Sequence, residues 1–290
     1  MFSNVHAQFY NGTHVGFGKN RVQYDYFEWK YLRFNQYETY YYTGGKELAI
    51  YTAKVARKYL KDQETFFEYN LQDKIQFIVY NKQSHFRQSN VGLNLENGEL
   101  GGITNIMGSK VYIYFNGDHA DFSRQIKEGI AQILINQQVF GANWRQVLMS
   151  TSLFSAPEWY SKGLTSYLSE EWSPEIENNV RDGITSGKYK KFNRLSDKEA
   201  IIAGHSLWAY IVATYGETVV PNILYMTRVT QSINKGFLYV LGVSMKTLTQ
   251  DWEEYYRKDY KNLVENKKED YVSKQLFKIK KRRHFYFRSF

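Results

Sequence analysis

Glu128 and Gln132 stand four residues apart, a spacing that puts both side chains on one face of a helix, where two donors can hold one ion. A carboxylate beside a neutral amide is a weak pair for zinc, and Gly129 between them has no side chain to act as a base. Arg124, one turn earlier, is an i,i+4 partner for Glu128. His205 beside Ser206 suggests a serine nucleophile, but neighbours on a helix point about 100° apart. No Gly-x-Ser-x-Gly turn exists and no acid is placed, so His205 reads as a core or helix-surface histidine. His119 with Asp118 and Asp121 suggests a metal group, which N-capping and turn chemistry explain more simply. Gly16-Phe17-Gly18-Lys19 lacks the setting and spacing of a phosphate loop.

Two longer stretches place these residues. One is Asp121-Phe122-Ser123-Arg124-Gln125-Ile126-Lys127-Glu128-Gly129-Ile130-Ala131-Gln132-Ile133-Leu134. The other is Pro157-Glu158-Trp159-Tyr160-Ser161-Lys162-Gly163-Leu164-Thr165-Ser166-Tyr167-Leu168. Together they resemble the gluzincin peptidases, the peptidase MA-like branch of the zincins, in which an H-E-x-x-H helix is followed by a P-x-W-x-x-E-G-L-A-x-Y-L helix. The segment Ala203-Gly204-His205-Ser206-Leu207-Trp208-Ala209-Tyr210 resembles a later helix of the same proteins, so the likeness spans roughly residues 37 to 260.

Laid on that pattern, the first zinc-binding His falls on Glu128, the catalytic Glu on Gly129, the second His on Gln132 and the third ligand on Lys162. In the family the metal activates a water and the Glu takes its proton. An ammonium at 162 has no lone pair while charged and repels a divalent cation. The resemblance therefore implies the scaffold without the chemistry: no catalytic residue, no metal, no cofactor, a pseudopeptidase. It also implies that Glu128 and Lys162 face a common point and pair with each other in place of the metal, with Arg124 as the competing partner.

The elements that would position these residues follow from periodicity. Aromatic-rich strands are expected at Arg21–Phe27, Lys30–Asn35 and Tyr37–Thr43, a helix at Lys46–Leu71 and a buried strand at Lys74–Tyr80. Further strands are expected at Ile103–Met107 and Lys110–Phe115. In the latter Val111, Ile113 and Phe115 alternate with Tyr112 and Tyr114, one face for the core and one for water. In gluzincins the strand before the site helix is an edge that binds extended peptide, which makes Val111, Tyr112, Ile113, Tyr114 and Phe115 a candidate peptide groove. The alternative is an edge covered by another segment. A helix from about Asp118 to Val139 is apolar almost all round and hence buried. Trp144–Ser150 reads as a short helix, and Ser155-x-x-Glu158 as a capping box with Pro157 in the first turn. Helices are expected at Glu175–Thr185, Ser196–Tyr215, Glu217–Val229, Asn234–Leu241 and Ser244–Val264.

These readings give an α+β, thermolysin-like zincin fold: an extension over 1–20, an α/β lobe over 21–117, a helical lobe over 118–265 and a basic linker or tail over 266–290. Of the 290 residues, 18% are aromatic and 26 are Tyr, which suits half-wet binding surfaces. The net charge of +9 is a property of the tail: residues 261–290 hold ten Lys/Arg and three Asp/Glu, leaving 28 and 26 for the rest. Nucleic acid is not an expected partner of the body. The tail interleaves Lys280-Lys281-Arg282-Arg283 with Phe285-Tyr286-Phe287, a mixture that also suits an anionic polymer or membrane surface. Cysteine is absent, so no disulfide or thiolate site exists. No transmembrane helix is expected. Val5-His6-Ala7 has the form of a signal-peptidase site without an upstream apolar run. The resemblance implies a periplasmic or envelope protein of Bacteroidetes type, with a protein or peptide partner and a further β-propeller after the chain. An active peptidase with a rearranged site is the rival reading.

Overall fold

Strand alternation builds the sheet of this computed structural model, which describes residues 21–91, 105–107, 109–141 and 156–266. Five strands, β1 (Lys30–Arg33), β2 (Tyr37–Tyr41), β3 (Ile75–Tyr80), β4 (Asn105–Met107) and β5 (Lys110–Tyr114), lie in the order β1-β2-β3-β5-β4. The outer pairs β1/β2 and β4/β5 are antiparallel, and the central pairs β2/β3 and β3/β5 are parallel. Inward residues Tyr37, Ile75, Phe77, Val79, Val111 and Ile113 meet the helices in the main core. Outward residues Tyr42, Ile78, Tyr80, Tyr112 and Tyr114 form a second cluster.

That second face is not wet, contrary to the alternation argument: Tyr112 is 1% exposed and Tyr114 9%. Its cover comes from the short helix Gln83–Phe86, Val91, and Phe27 and Trp29 of the segment 21–29. This segment, expected to be partly strand, has no strand pairing and serves as a strap. The Tyr24 and Asp25 N–H groups both donate to Gln88 Oε1 at 3.0 Å, and Gln88 Nε2 donates to Asp25 Oδ2 at 2.6 Å. Of its aromatic residues, Phe27 and Trp29 pack on the sheet, while Tyr24 and Tyr26 are exposed.

The longer helices are α1 (Lys46–Phe67), α2 (His119–Phe140), α3 (Glu158–Ser169), α4 (Pro174–Ser186), α5 (Asp197–Tyr215), α6 (Val219–Thr230), α7 (Ile233–Leu241) and α8 (Met245–Asn266), with a 3-10 segment at Lys188–Arg194. Helix α1 stops at Glu68, which adopts a left-handed conformation, short of the expected Leu71. Asp118 caps α2 by accepting from the Ala120 N–H at 2.8 Å, as the N-cap reading of Asp118 anticipates. Helix α2 packs on β5, α1, α3 and α6, which accounts for its nearly all-round burial. One continuous apolar core runs from Tyr37 on β2 to Tyr260 on α8, so both expected lobes draw on it. The fold is mixed α+β, as expected.

Strand β5 is interior, and this corrects its assignment as an edge. β4 pairs with it through Met107–Lys110, Ile106–Val111 and Asn105–Tyr112. The helix expected at Trp144–Ser150, Ser155 of the capping box, the first residues of the Ile103–Met107 strand, residues 1–20 and the tail from 267 lie outside the described residues. Among the described residues, no helix is long and apolar enough to cross a membrane.

Candidate site at the junction of two helices

Helices α2 and α3 pack on each other and carry the four positions singled out in the sequence. They are joined directly: Thr165 Oγ1 on α3 donates to Gln132 Oε1 on α2 at 3.0 Å. Gln132 Nε2 in turn donates to Asn136 Oδ1 at 3.0 Å. The position matching a second zinc-binding imidazole is therefore a helix-to-helix amide contact.

Glu128 and Lys162 do not pair, which corrects the expected metal-replacing tie. Each has a closer partner on its own helix. Arg124 Nη1 reaches Glu128 Oε1 at 2.5 Å, and its other terminal nitrogen pairs with Asp121. Lys162 pairs with Glu158 one turn back. The i,i+4 geometry brings these groups together without ordering long side chains across an interhelical gap, so the local pairs win. Burial alone would lower the Arg124 pKa, but Glu128 and Asp121 outweigh it and hold the guanidinium above its ordinary value. At Glu158 burial pushes upward, while Lys162 and the Asp197 N–H, which donates to Glu158 Oε2 at 2.6 Å, bring the carboxyl below its usual range. Glu158 thereby ties the start of α3 to the start of α5.

Gly129 lies where α2 presses on the sheet. A Cβ at this position would sit 2.4 Å from Val111 Cγ1, closer than two carbons can approach. Any side chain there, a catalytic carboxylate included, must displace Val111. Behind α3 a second close approach occurs. A Cβ on Gly163 would come within 2.5 Å of Gly204 Cα, and one on Gly204 within 2.1 Å of the Trp159 carbonyl. Helices α3 and α5 thus cross backbone on backbone, and Trp208 Nε1 adds a hydrogen bond to the Tyr160 carbonyl at 3.0 Å.

The expected groove strand is closed on its outward side. In β5 the backbone groups of Lys110 and Tyr112 face β4, and those of Tyr114 are taken by Gln125 of α2. Val111, Ile113 and Phe115 alternate with them, and the Phe115 N–H turns to the Tyr80 carbonyl on β3. Extended peptide has no free backbone to meet on this strand short of displacing β4 and Gln125.

His205 is buried at 2% exposure, with Nδ1 at 3.0 Å from Ser166 Oγ. Burial lowers its pKa to about 4, and the rings of Tyr167 and Trp172 pack around it. This is the core histidine of the sequence reading. Its serine contact comes from α3 rather than from the adjacent Ser206, whose hydroxyl donates to the Ala203 carbonyl at 2.8 Å.

The residues present do not fit a zinc ion. Glu128, Gln132 and Lys162 are committed to protein partners, one of the three is a cation, and Gly129 offers nothing. Among the described residues, no group of three or more His, Asp or Glu side chains is placed to hold a metal. Sequence reasoning missed Gln125, Thr165 and the Gly163/Gly204 crossing. The spacing Asp121-x-x-Arg124-x-x-x-Glu128 carries the signal for the ionic chain; nothing in the one-dimensional pattern marks Gly204 as the partner of Gly163. No family model and no curated protein matches the sequence.

Proposed function

We propose that the chain is a catalytically inactive, metallopeptidase-like module of gluzincin type that acts by binding or scaffolding in a bacterial cell envelope. One observation carries this reading. The two helices that match the gluzincin motifs pack together, and the four positions that would hold and use a metal instead hold protein-to-protein contacts. The order of β3, β5 and α2, with α3 against α2, is compatible with a zincin scaffold. The envelope setting follows from the resemblance alone.

Elemental analysis and reversion test this together. The purified chain is expected to carry far less than one zinc per molecule. A Glu128→His, Gln132→His, Lys162→Glu variant is expected to take up one, because 128 and 132 share a helical face and the gluzincin resemblance sets 162 opposite them. Stoichiometric zinc in the unaltered chain with chelator-sensitive peptide cleavage overturns the inactive reading. A folded triple variant that ignores zinc removes the gluzincin register.

A further inference from the structure

Among the described residues, the antiparallel β1/β2 hairpin leaves the β1 edge of the sheet without a further strand. Its phase is set by the Phe34 N–H, which donates to the Tyr37 carbonyl at 2.9 Å. From that bond, hydrogen-bonded pairs alternate along the ladder, so Lys30 and Leu32 face β2. Tyr31 and Arg33 turn their N–H and C=O groups outward, where no backbone partner meets them among the described residues.

The side chains around this edge select among occupants. Tyr31 is 49% exposed and packs at a tilt against Tyr40, ring centroids 5.4 Å apart, with the Arg33 guanidinium 5.0 Å from its ring centroid. Arg33 holds the buried Glu38 through Nε at 2.8 Å, yet 61% of its side chain remains exposed. Lys74 Nζ sits 3.1 Å from the Phe34 carbonyl at the end of the strand. Lys30 keeps a loose contact with Glu28 at 3.8 Å. Three cations thus border a strand edge bearing a tyrosine shelf, against one exposed carboxylate.

We infer that β1 is a docking edge for an extended, acidic segment of a partner protein, which adds to the sheet as a sixth strand and sets a carboxylate against Arg33. This deepens the binding reading above and rests on it. Strand addition draws affinity from backbone bonds and specificity from alternate side chains, which this edge supplies. A second copy fits less well, because it brings the same three cations to the shared edge. A four-residue edge also suits a short linear segment better than a stable dimer face.

The test uses the full chain and a capped peptide of alternating threonine and glutamate, followed by fluorescence anisotropy and amide hydrogen exchange. Binding is expected, with new protection at residues 30–33. N-methylation of alternate peptide amides should weaken it about tenfold or more through lost backbone bonds. The same loss is expected in Tyr31→Pro, whose missing N–H is one that β2 does not use. Arg33→Gln, which leaves the backbone alone, should also weaken the acidic peptide by removing the cation that its carboxylate meets. Absence of binding at millimolar peptide, or binding indifferent to N-methylation and to both variants, overturns the inference. So does a dimer in sedimentation that Tyr31→Pro abolishes, since a second copy then holds the edge. These outcomes leave the zinc assays untouched, so the two readings fail separately.

Discussion

Gln125 on α2 and Tyr114 on β5 exchange two hydrogen bonds: the Tyr114 N–H donates to Gln125 Oε1, and Gln125 Nε2 donates to the Tyr114 carbonyl, each at 3.1 Å. The side-chain amide pairs with the outward backbone groups of Tyr114 as a neighbouring strand would, a seal two residues past Tyr112, the partner of Asn105. Asp121, which accepts from the same Gln125 nitrogen at 2.9 Å and pairs with Arg124, links this seal to the ionic chain of α2. Gln125→Ala removes both of these hydrogen bonds and is expected to cost about 2 kcal/mol in urea unfolding. Gln125→Glu should not rescue it, since a carboxylate cannot donate to the Tyr114 carbonyl and faces Asp121. Equal stability of the two variants and the parent rules out the seal.

Gly129→Ala tests the contact between α2 and the sheet. Helix propensity favours alanine by about 1 kcal/mol, but the added Cβ collides with Val111 and overpacking costs about 1–3 kcal/mol. Net destabilisation is expected, relieved in a Val111→Ala background. A double-mutant cycle with no coupling refutes the contact.

The two ion pairs at the site should rank unequally. Arg124→Ala removes the guanidinium that bridges Asp121 and Glu128, whose side chain is 11% exposed, and is expected to cost about 2 kcal/mol. Lys162→Ala breaks an i,i+4 pair that is one-third exposed on each side and should cost under about 1 kcal/mol. Thermal or urea unfolding of the two variants gives the order. The reverse order restores the interhelical pairing of Lys162.

His205 makes stability fall on mild acidification. Its folded-state pKa, about 4, lies below the ordinary 6.5 because burial disfavours the charged ring. Between those values the unfolded chain binds more protons. The residue therefore costs nothing above pH 6.5, and stability is lost progressively as pH falls towards 4. The loss approaches about 3 kcal/mol. Subtracting the stability profile of His205→Gln from that of the parent isolates this slope from carboxylate titration. Parallel profiles exclude it.

Gly204→Ala places a methyl against the Trp159 carbonyl and is expected to destabilise by about 3 kcal/mol or to shift α5 against α3. Calorimetry with near-ultraviolet circular dichroism of the surrounding tryptophans reads both outcomes. A neutral effect shows that the helices do not cross at this pair.

The helical half was legible because its punctuation is local. Pro174, Gly187, Gly216 and Gly242 bound helices wherever they occur, and the observed ends fall within a few residues of them. The errors arose where distant segments decide. Tyr112 and Tyr114 read as solvent-facing because the strap over them comes from residues 21–29 and 83–91. β5 read as an edge because chain order does not reveal that β4 folds back beside it. The Glu128–Lys162 pairing failed because one-turn partners, Arg124 and Glu158, were present in the sequence and carry the smaller ordering cost.

The glycine crossing of α3 over α5 has a bearing on how this protein tolerates change. Because the two backbones rest on each other at Gly163 and Gly204, the angle of α3 is fixed from behind. What projects from its front at 162, where Lys162 pairs only along its own helix, can vary without altering how the helix lies. A frame braced on its far side needs no central ion as a rivet, so its front can be refitted for contacts of a different kind while the architecture stands.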